Sequence, residues 1–242
     1  MCTVTFIPVK DKIFITSNRD EKRWRSQAIV PAFYAMETGT IVFPKDTDAG
    51  GSWFAVHENG NAVILLNGGW VNHIPQPPYR KSRGLVLLDM IDDDNPIGKF
   101  LTSNFNNIEP FTAVILCEKE LYECRWDGSE KSNRKLQADL PYIWSSVTLY
   151  DDAVIAKREK WFVEWLQKNP APTQHDILSF HQFTGDGDSH NDLLMNRDGI
   201  VFTVSITSLE STGRSGVLQY LDCKNQQTHR QEFEFSKAIM HN

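Results

Sequence analysis

The chain has 242 residues, 40% of them hydrophobic and 23% charged, with a formal net charge of −6. That length can bury a substantial core, and no Pro/Gly/Ser-rich stretch offers a linker, so residues 1–242 are read as a single domain. The negative balance, with a sequence pI near 5.6, would repel phosphates, so neither nucleic acid nor an anionic membrane is an expected partner.

Residues 3–9 and 13–16 are short apolar runs separated by Lys10-Asp11-Lys12, a polar break of hairpin length, and predict two antiparallel neighbours. The pairing brings the polar string Ser17-Asn18-Arg19-Asp20-Glu21 back towards Cys2. Removal of Met1 would leave a thiol and a free α-amine on the same residue. An α-amine titrates near ~8, low enough to take the proton of its own thiol near neutral pH. On residue type alone Cys2 has two readings, a nucleophile or a small buried hydrophobe. Strand alternation places Asn18 and Asp20 on one face and Arg19 on the other, unless a bulge turns it. Arg19 is either a site residue or a structural partner of Glu21, Asp46 or Asp48.

Residues 21–28 form a charged connection containing Trp24, and 41–43 a short strand. Gly50-Gly51 marks a bend where a side chain would obstruct a turn or a close approach. Strands over 52–57 and 61–66 flank Glu58-Asn59-Gly60, whose Asn-Gly pair predicts a second hairpin. The apolar run then stops at Asn67-Gly68-Gly69, where Asn67 has the character of a turn residue. A proline-bearing loop over 71–80 precedes a helix at 82–91, stopped by Asp92-Asp93-Asp94-Asn95-Pro96. Three adjacent carboxylates at a helix end point in different directions, so they read as a solvated terminus.

A short helix over 97–105 is followed by strands over 111–117 and 121–126, with Cys124 beside Tyr122 and Trp126 on a core face. Residues 141–146 form another strand. The longest helix, 151–167, carries a core-type aromatic stripe, with charges such as Arg158 between its apolar positions. A helix over 175–183 follows, in which His175 and His181 do not share a face. The polar loop from Gly185 to Asp192 lacks the glycine and the bidentate glutamate of a calcium loop, so no metal is expected. Strands over 200–207, 217–221 and 231–235 close the chain. The four cysteines, Cys2, Cys117, Cys124 and Cys223, show neither zinc-site spacing nor a disulfide framework. With no long apolar span and no signal-peptide pattern, a cytoplasmic location with reduced thiols is expected.

Cys2 followed by a strand, then Asn18-Arg19-Asp20-Glu21, Gly50-Gly51-Ser52-Trp53-Phe54 and the string from Gly60 to Asn67, resembles the NRDE family, also called the Transport and Golgi organisation protein 2 family. The resemblance is specific over the first seventy residues and traceable to about residue 235. That family is similar to N-terminal-nucleophile hydrolases of the bile-salt hydrolase and penicillin V acylase type, which also begin Met-Cys-Thr. Periodicity supports only a mixed α and β, largely antiparallel chain. The resemblance implies an α+β fold, a four-layer αββα sandwich of two largely antiparallel sheets.

It also implies roles. Cys2 is the nucleophile, Asp20 orients its amine, Asn67 holds the oxyanion, and Asn18 or Arg19 polarises the site. Ser146 stands where relatives commonly carry a second contacting Asn, and Val204 where many carry an Arg. The implied activity is that of an amidohydrolase or acyltransferase acting on a small acylated amide, with no cofactor. The alternative is a non-catalytic carrier that keeps the pocket for a lipid-like or cofactor ligand. Ser146 and Val204 favour the carrier; Cys2, Asp20 and Asn67 favour the enzyme. Either way the expected partner is a small molecule, and a homo-oligomer is compatible with the sequence.

Overall fold

The computed structural model describes residues 3–236. In chain order its elements are β1 (Thr3–Val9), β2 (Lys12–Lys22), β3 (Ile29–Ala35), β4 (Thr40–Lys45), β5 (Phe54–His57), β6 (Ala62–Asn67), α1 (Arg83–Ile91), α2 (Pro96–Thr102), β7 (Phe111–Cys117) and β8 (Glu120–Trp126). The chain continues through β9 (Lys131–Leu136), β10 (Tyr142–Ser145), α3 (Asp152–Lys168), α4 (Gln174–Phe183), β11 (Asn196–Arg197), β12 (Val201–Ser211), β13 (Ser215–Asp222) and β14 (Gln227–Glu234).

These strands make two antiparallel sheets. One is a simple meander, β3-β4-β5-β6-β7-β8-β9; the other gathers strands from both halves of the chain in the order β10-β1-β2-β12-β13-β14, with β11 on β12. Alternation decides which side chains go where. In the second sheet Val4, Phe6 and Ile15 join the main core with the meander, whereas Ile7 and Phe14 pack against Phe162 of α3 and Ile177 and Phe180 of α4. On the outer side of the meander, α1 and α2 bury Val86, Leu87, Met90, Ile91 and Phe100. The result is the expected αββα sandwich, helices on both outer faces and two sheets facing each other within.

Three stretches differ from the sequence reading. β2 runs on through the polar string to Lys22, because its buried polar side chains find partners instead of turning to solvent. β3 was concealed by its Pro31 and its mostly exposed side chains, features that suit an edge strand. β9, Lys-Ser-Asn-Arg-Lys-Leu, is the opposite edge of the meander, where charge discourages pairing with another chain. Asp92 is more than a solvated terminus: its carboxylate accepts from the Thr38 N–H and hydroxyl at 2.9 and 3.0 Å, fixing the β3–β4 turn to the end of α1.

Gly50 and Gly51 do the two jobs foreseen for the pair. Gly50 adopts φ +72°, while a Cβ on Gly51 would lie 2.3 Å from the carbonyl carbon of Gly84 at the start of α1. This close approach is backbone against backbone, so neither side can rotate away. We expect Gly51→Ala to cost about 1–3 kcal/mol by pushing α1 off the sheet; urea unfolding with a loss below a few tenths would show that the approach is slack.

Candidate active site

At one end of the sandwich the sheets part to form a cleft of about 650 Å³. Its walls come from the end of β2 (Arg19, Glu21), the segment with Trp24 and Arg25, the turn from Asp46 to Trp53, the end of β6 (Leu65, Asn67) and the stretch from Tyr79 to Gly84. Arg19 is on the sheet-facing side of β2, its guanidinium 4.3 Å above the Trp53 ring and its Nη2 2.5 Å from Asp46 Oδ2. Arg25 donates to the same carboxylate from Nε at 3.2 Å and Nη2 at 2.8 Å, and the backbone N–H groups of Asp48 and Ala49 reach it as well. Asp46 thus holds two arginines in fixed directions on one side of the cleft. On the other side Arg83 pairs with Glu109 at 3.0 Å.

Asn67 ends β6 opposite Phe111, and the left-handed turn falls on Gly68 (φ +86°), so Asn67 itself keeps strand geometry. Its backbone carbonyl accepts from the Ser146 hydroxyl at 2.8 Å. Register brings these parts together: Thr3 is paired with Asn18 of β2 and with Ser145 of β10, and the next residues along those strands are Arg19 and Ser146. The beginning of β1 therefore lies between the strand that carries Arg19 and the segment bonded to Asn67.

The opposite face of β2 points at the helices and is polar. Asn18 is fully buried there, its amide donating to the Leu193 and His181 carbonyls at 2.7 and 3.3 Å. With both amide protons spent, Asn18 Oδ1 must accept from His181 Nδ1 at 2.6 Å, which leaves His181 Nε2 to accept from the Thr5 hydroxyl at 2.8 Å. Desolvation, and the neighbouring Arg158 cation, push the His181 pKa down to about 3. Asp20 accepts from the Tyr150 hydroxyl at 2.9 Å and from Thr203 at 2.5 Å. A bulge in β12 at Val204, between Thr203 opposite Asp20 and Ser205 opposite Arg19, places that hydroxyl. Arg158 of α3 lies beneath the start of β1, fully buried, stacked 3.7 Å from the Tyr150 ring centre. It donates to the Thr3 hydroxyl, to the Asn191 carbonyl at 3.1 and 3.2 Å, and to the Asp192 carbonyl at 2.7 Å.

The neutral His181 has a measurable consequence. Its folded pKa lies below the unfolded value of about 6.5, so the unfolded chain binds the extra proton first and stability falls as pH drops through that window. From pH 7 to pH 5 this group should remove about 2 kcal/mol. Urea unfolding at the two pH values should show a smaller loss for His181→Gln than for wild type; equal losses would sink the assignment.

Cys2 lies outside the described residues. Of the other residues expected at the site, Arg19 and Asn67 line the cleft together. Asn18 and Asp20 share the helix-facing side, as alternation required, and neither lines the cleft. The substrate contacts expected of Asn18 and Ser146 are replaced by structural bonds, because both side chains are fully enclosed and their donors already engaged. Arg19 has the structural partner offered for it, Asp46, and also lines the cleft. Asp46 was one of the partners offered for Arg19; Arg25 and Arg83 were not foreseen, and nothing in the sequence pattern joins them to the cleft.

This fold occurs in solved enzymes that cleave amides. The chain is similar to the Caenorhabditis elegans ortholog of N-acylethanolamine-hydrolyzing acid amidase, at 12% identity and a TM-score of 0.57 over 86% of this chain and 92% of that one. It is similar also to conjugated bile acid hydrolase from Clostridium perfringens. An arginine-to-leucine variant of that enzyme gives 12% identity and a TM-score of 0.58, and a cysteine-to-alanine mutant 8% and 0.57; both comparisons cover 100% of this chain and 99% of the other. At such identities what is shared is the fold. The sequence model for Transport and Golgi organisation 2 matches residues 1–198, and the chain belongs to that family. No curated protein sequence matches it significantly. No helix among the described residues is long and apolar enough to cross a membrane.

Proposed function

We propose that the chain is an N-terminal cysteine amidohydrolase or acyltransferase that acts on a small acylated amide. The observation that carries this reading is the register of the start of β1, between the strand that carries Arg19 and the segment whose Ser146 bonds Asn67, with Arg19 and Asn67 both lining the cleft. Cys2 is the residue that precedes it. In this reading the Cys2 thiol gives its proton to the α-amine and its sulfur attacks the carbonyl carbon. The Asn67 amide stabilises the oxyanion, and the proton passes from the amine to the leaving nitrogen as the C–N bond breaks. Water, or an acceptor amine, then takes the acyl group from sulfur. Arg19, held by Asp46 and Trp53, orients the substrate; Asp20 acts from the other face of β2, bracing Tyr150. The free thiols suit a reducing compartment such as the cytoplasm.

Thiol chemistry supplies the first test. Burial pushes the Cys117 thiol up to about 11 and those of Cys124 and Cys223 to about 12, so all three should be sluggish near neutral pH. A thiol-directed acylating probe should therefore modify Cys2 at pH 7 well before the others, read by peptide mass spectrometry. The same preparation would be screened with N-acyl amino acids, acyl-homoserine lactones and β-lactams. Indiscriminate labelling, with saturable binding of a lipid-like or cofactor ligand and no turnover, would establish the carrier instead.

A further inference from the structure

Arg158 is a costly residue to keep where it is. Its guanidinium is fully buried, and among the described residues no carboxylate lies within ion-pairing distance. Its hydrogen bonds go to neutral acceptors, the Thr3 hydroxyl and the carbonyls of Asn191 and Asp192. Burying a charge without a counter-charge is expensive, and if the purpose were only to attach α3 to β1, a neutral side chain would serve more cheaply. The cation is also aimed at one place. Thr3 is bonded directly to Cys2, so ordinary bond lengths keep the guanidinium within about 10 Å of the Cys2 α-amine.

We propose that Arg158 is a positioning residue for the N-terminal nucleophile: it anchors the start of β1 through Thr3 and supplies the positive field that favours a free amine and a thiolate on Cys2. This rests on the N-terminal-cysteine reading above. The other groups around this position are Asp20 and Arg19 on β2, Tyr150 ahead of α3, His181 on α4 and Arg197 on β11. Asp20, bonded to Tyr150 and Thr203, opposes the field; Arg19 is offset by Asp46; and His181 is neutral. Arg197 lies on the far side, donating to the Leu149 carbonyl with its guanidinium 5.4 Å from the Tyr150 ring centre. Arg158 is the member of this group that touches Thr3. Coulomb's law at an effective dielectric constant of about 20 gives a field worth about one pH unit at that separation.

The test uses full-length protein whose intact mass shows Met1 removed, alkylated with iodoacetamide from pH 5 to 10, with modification of Cys2 followed by mass spectrometry. Arg158→Met should raise the midpoint of Cys2 reactivity by about one pH unit, roughly a tenfold slower reaction at pH 7, and Arg158→Lys should restore most of it. A folded Arg158→Met protein with an unmoved midpoint would overturn the proposal, because an anchoring role alone changes stability and leaves the profile in place. Should that variant not fold, Arg158→Gln removes the charge while keeping an amide donor for Thr3 and the loop carbonyls; its midpoint should also rise by about one pH unit, and an unmoved one overturns the proposal equally. Failure of the underlying reading looks different. It would appear in the wild type, as a midpoint near ~8.5 indifferent to chemical blocking of the α-amine.

Discussion

Alanine at position 2 should abolish amide turnover, lowering it on the order of 10⁴-fold or more, while the unfolding midpoint stays within a few degrees of wild type. In the proposed mechanism the sulfur forms the acyl intermediate, and the substitution removes one small side chain. Adding a residue ahead of Cys2 should be nearly as damaging although the thiol remains, because an amide nitrogen cannot accept its proton. In the unmodified protein the rate should rise with pH through the amine's titration, at about 7 to 8 before the local charges displace it. Unimpaired hydrolysis by the extended form would eliminate the mechanism.

Asp46→Ala should be the most damaging substitution for the fold among the cleft residues, costing about 3–5 kcal/mol in urea unfolding. Its carboxylate is the shared acceptor of Arg19 and Arg25, and the Arg19 side chain is only 5% exposed. Removing the acid leaves the Arg19 cation, stacked on Trp53, with only the longer Glu21 contact at 3.8 Å among the described carboxylates. Asp46→Asn, which keeps an acceptor oxygen but no charge, should lie between alanine and wild type. A loss below about 1 kcal/mol for alanine would mean the arginines find other partners, and the cleft wall would then be less fixed than its geometry implies.

Apolar alternation is legible without coordinates, and β1, β5 to β8, α3 and α4 lie where it placed them. The edges are not. Pro31 in β3 and the charges of β9 serve to discourage further pairing, so they carry the signature of loops. The site divides in a similar way. Arg19 and Asn67 stand in recognisable strings, and alternation assigned Arg19 the face opposite Asn18 and Asp20. Asp46 was among the partners the sequence offered for Arg19, and the structure selects it; Arg158 was out of reach because its meaning comes from distant segments. In the sequence Arg158 is one of four consecutive charges on a helix; only the packing of α3 under Thr3 makes it the buried one.

The two sheets have unequal histories written into their connectivity. Every strand of the meander pairs with its immediate successor, so that half can assemble progressively as the polypeptide leaves the ribosome. The other sheet has to wait: β1 needs Tyr142 to Ser145, and β2 needs β12, with Asn18 opposite Ile206. β1 and β2 can form their hairpin at once, but that hairpin gains its flanking strands only when these later segments arrive. Until then both outer edges of the hairpin stand open to solvent and to other chains.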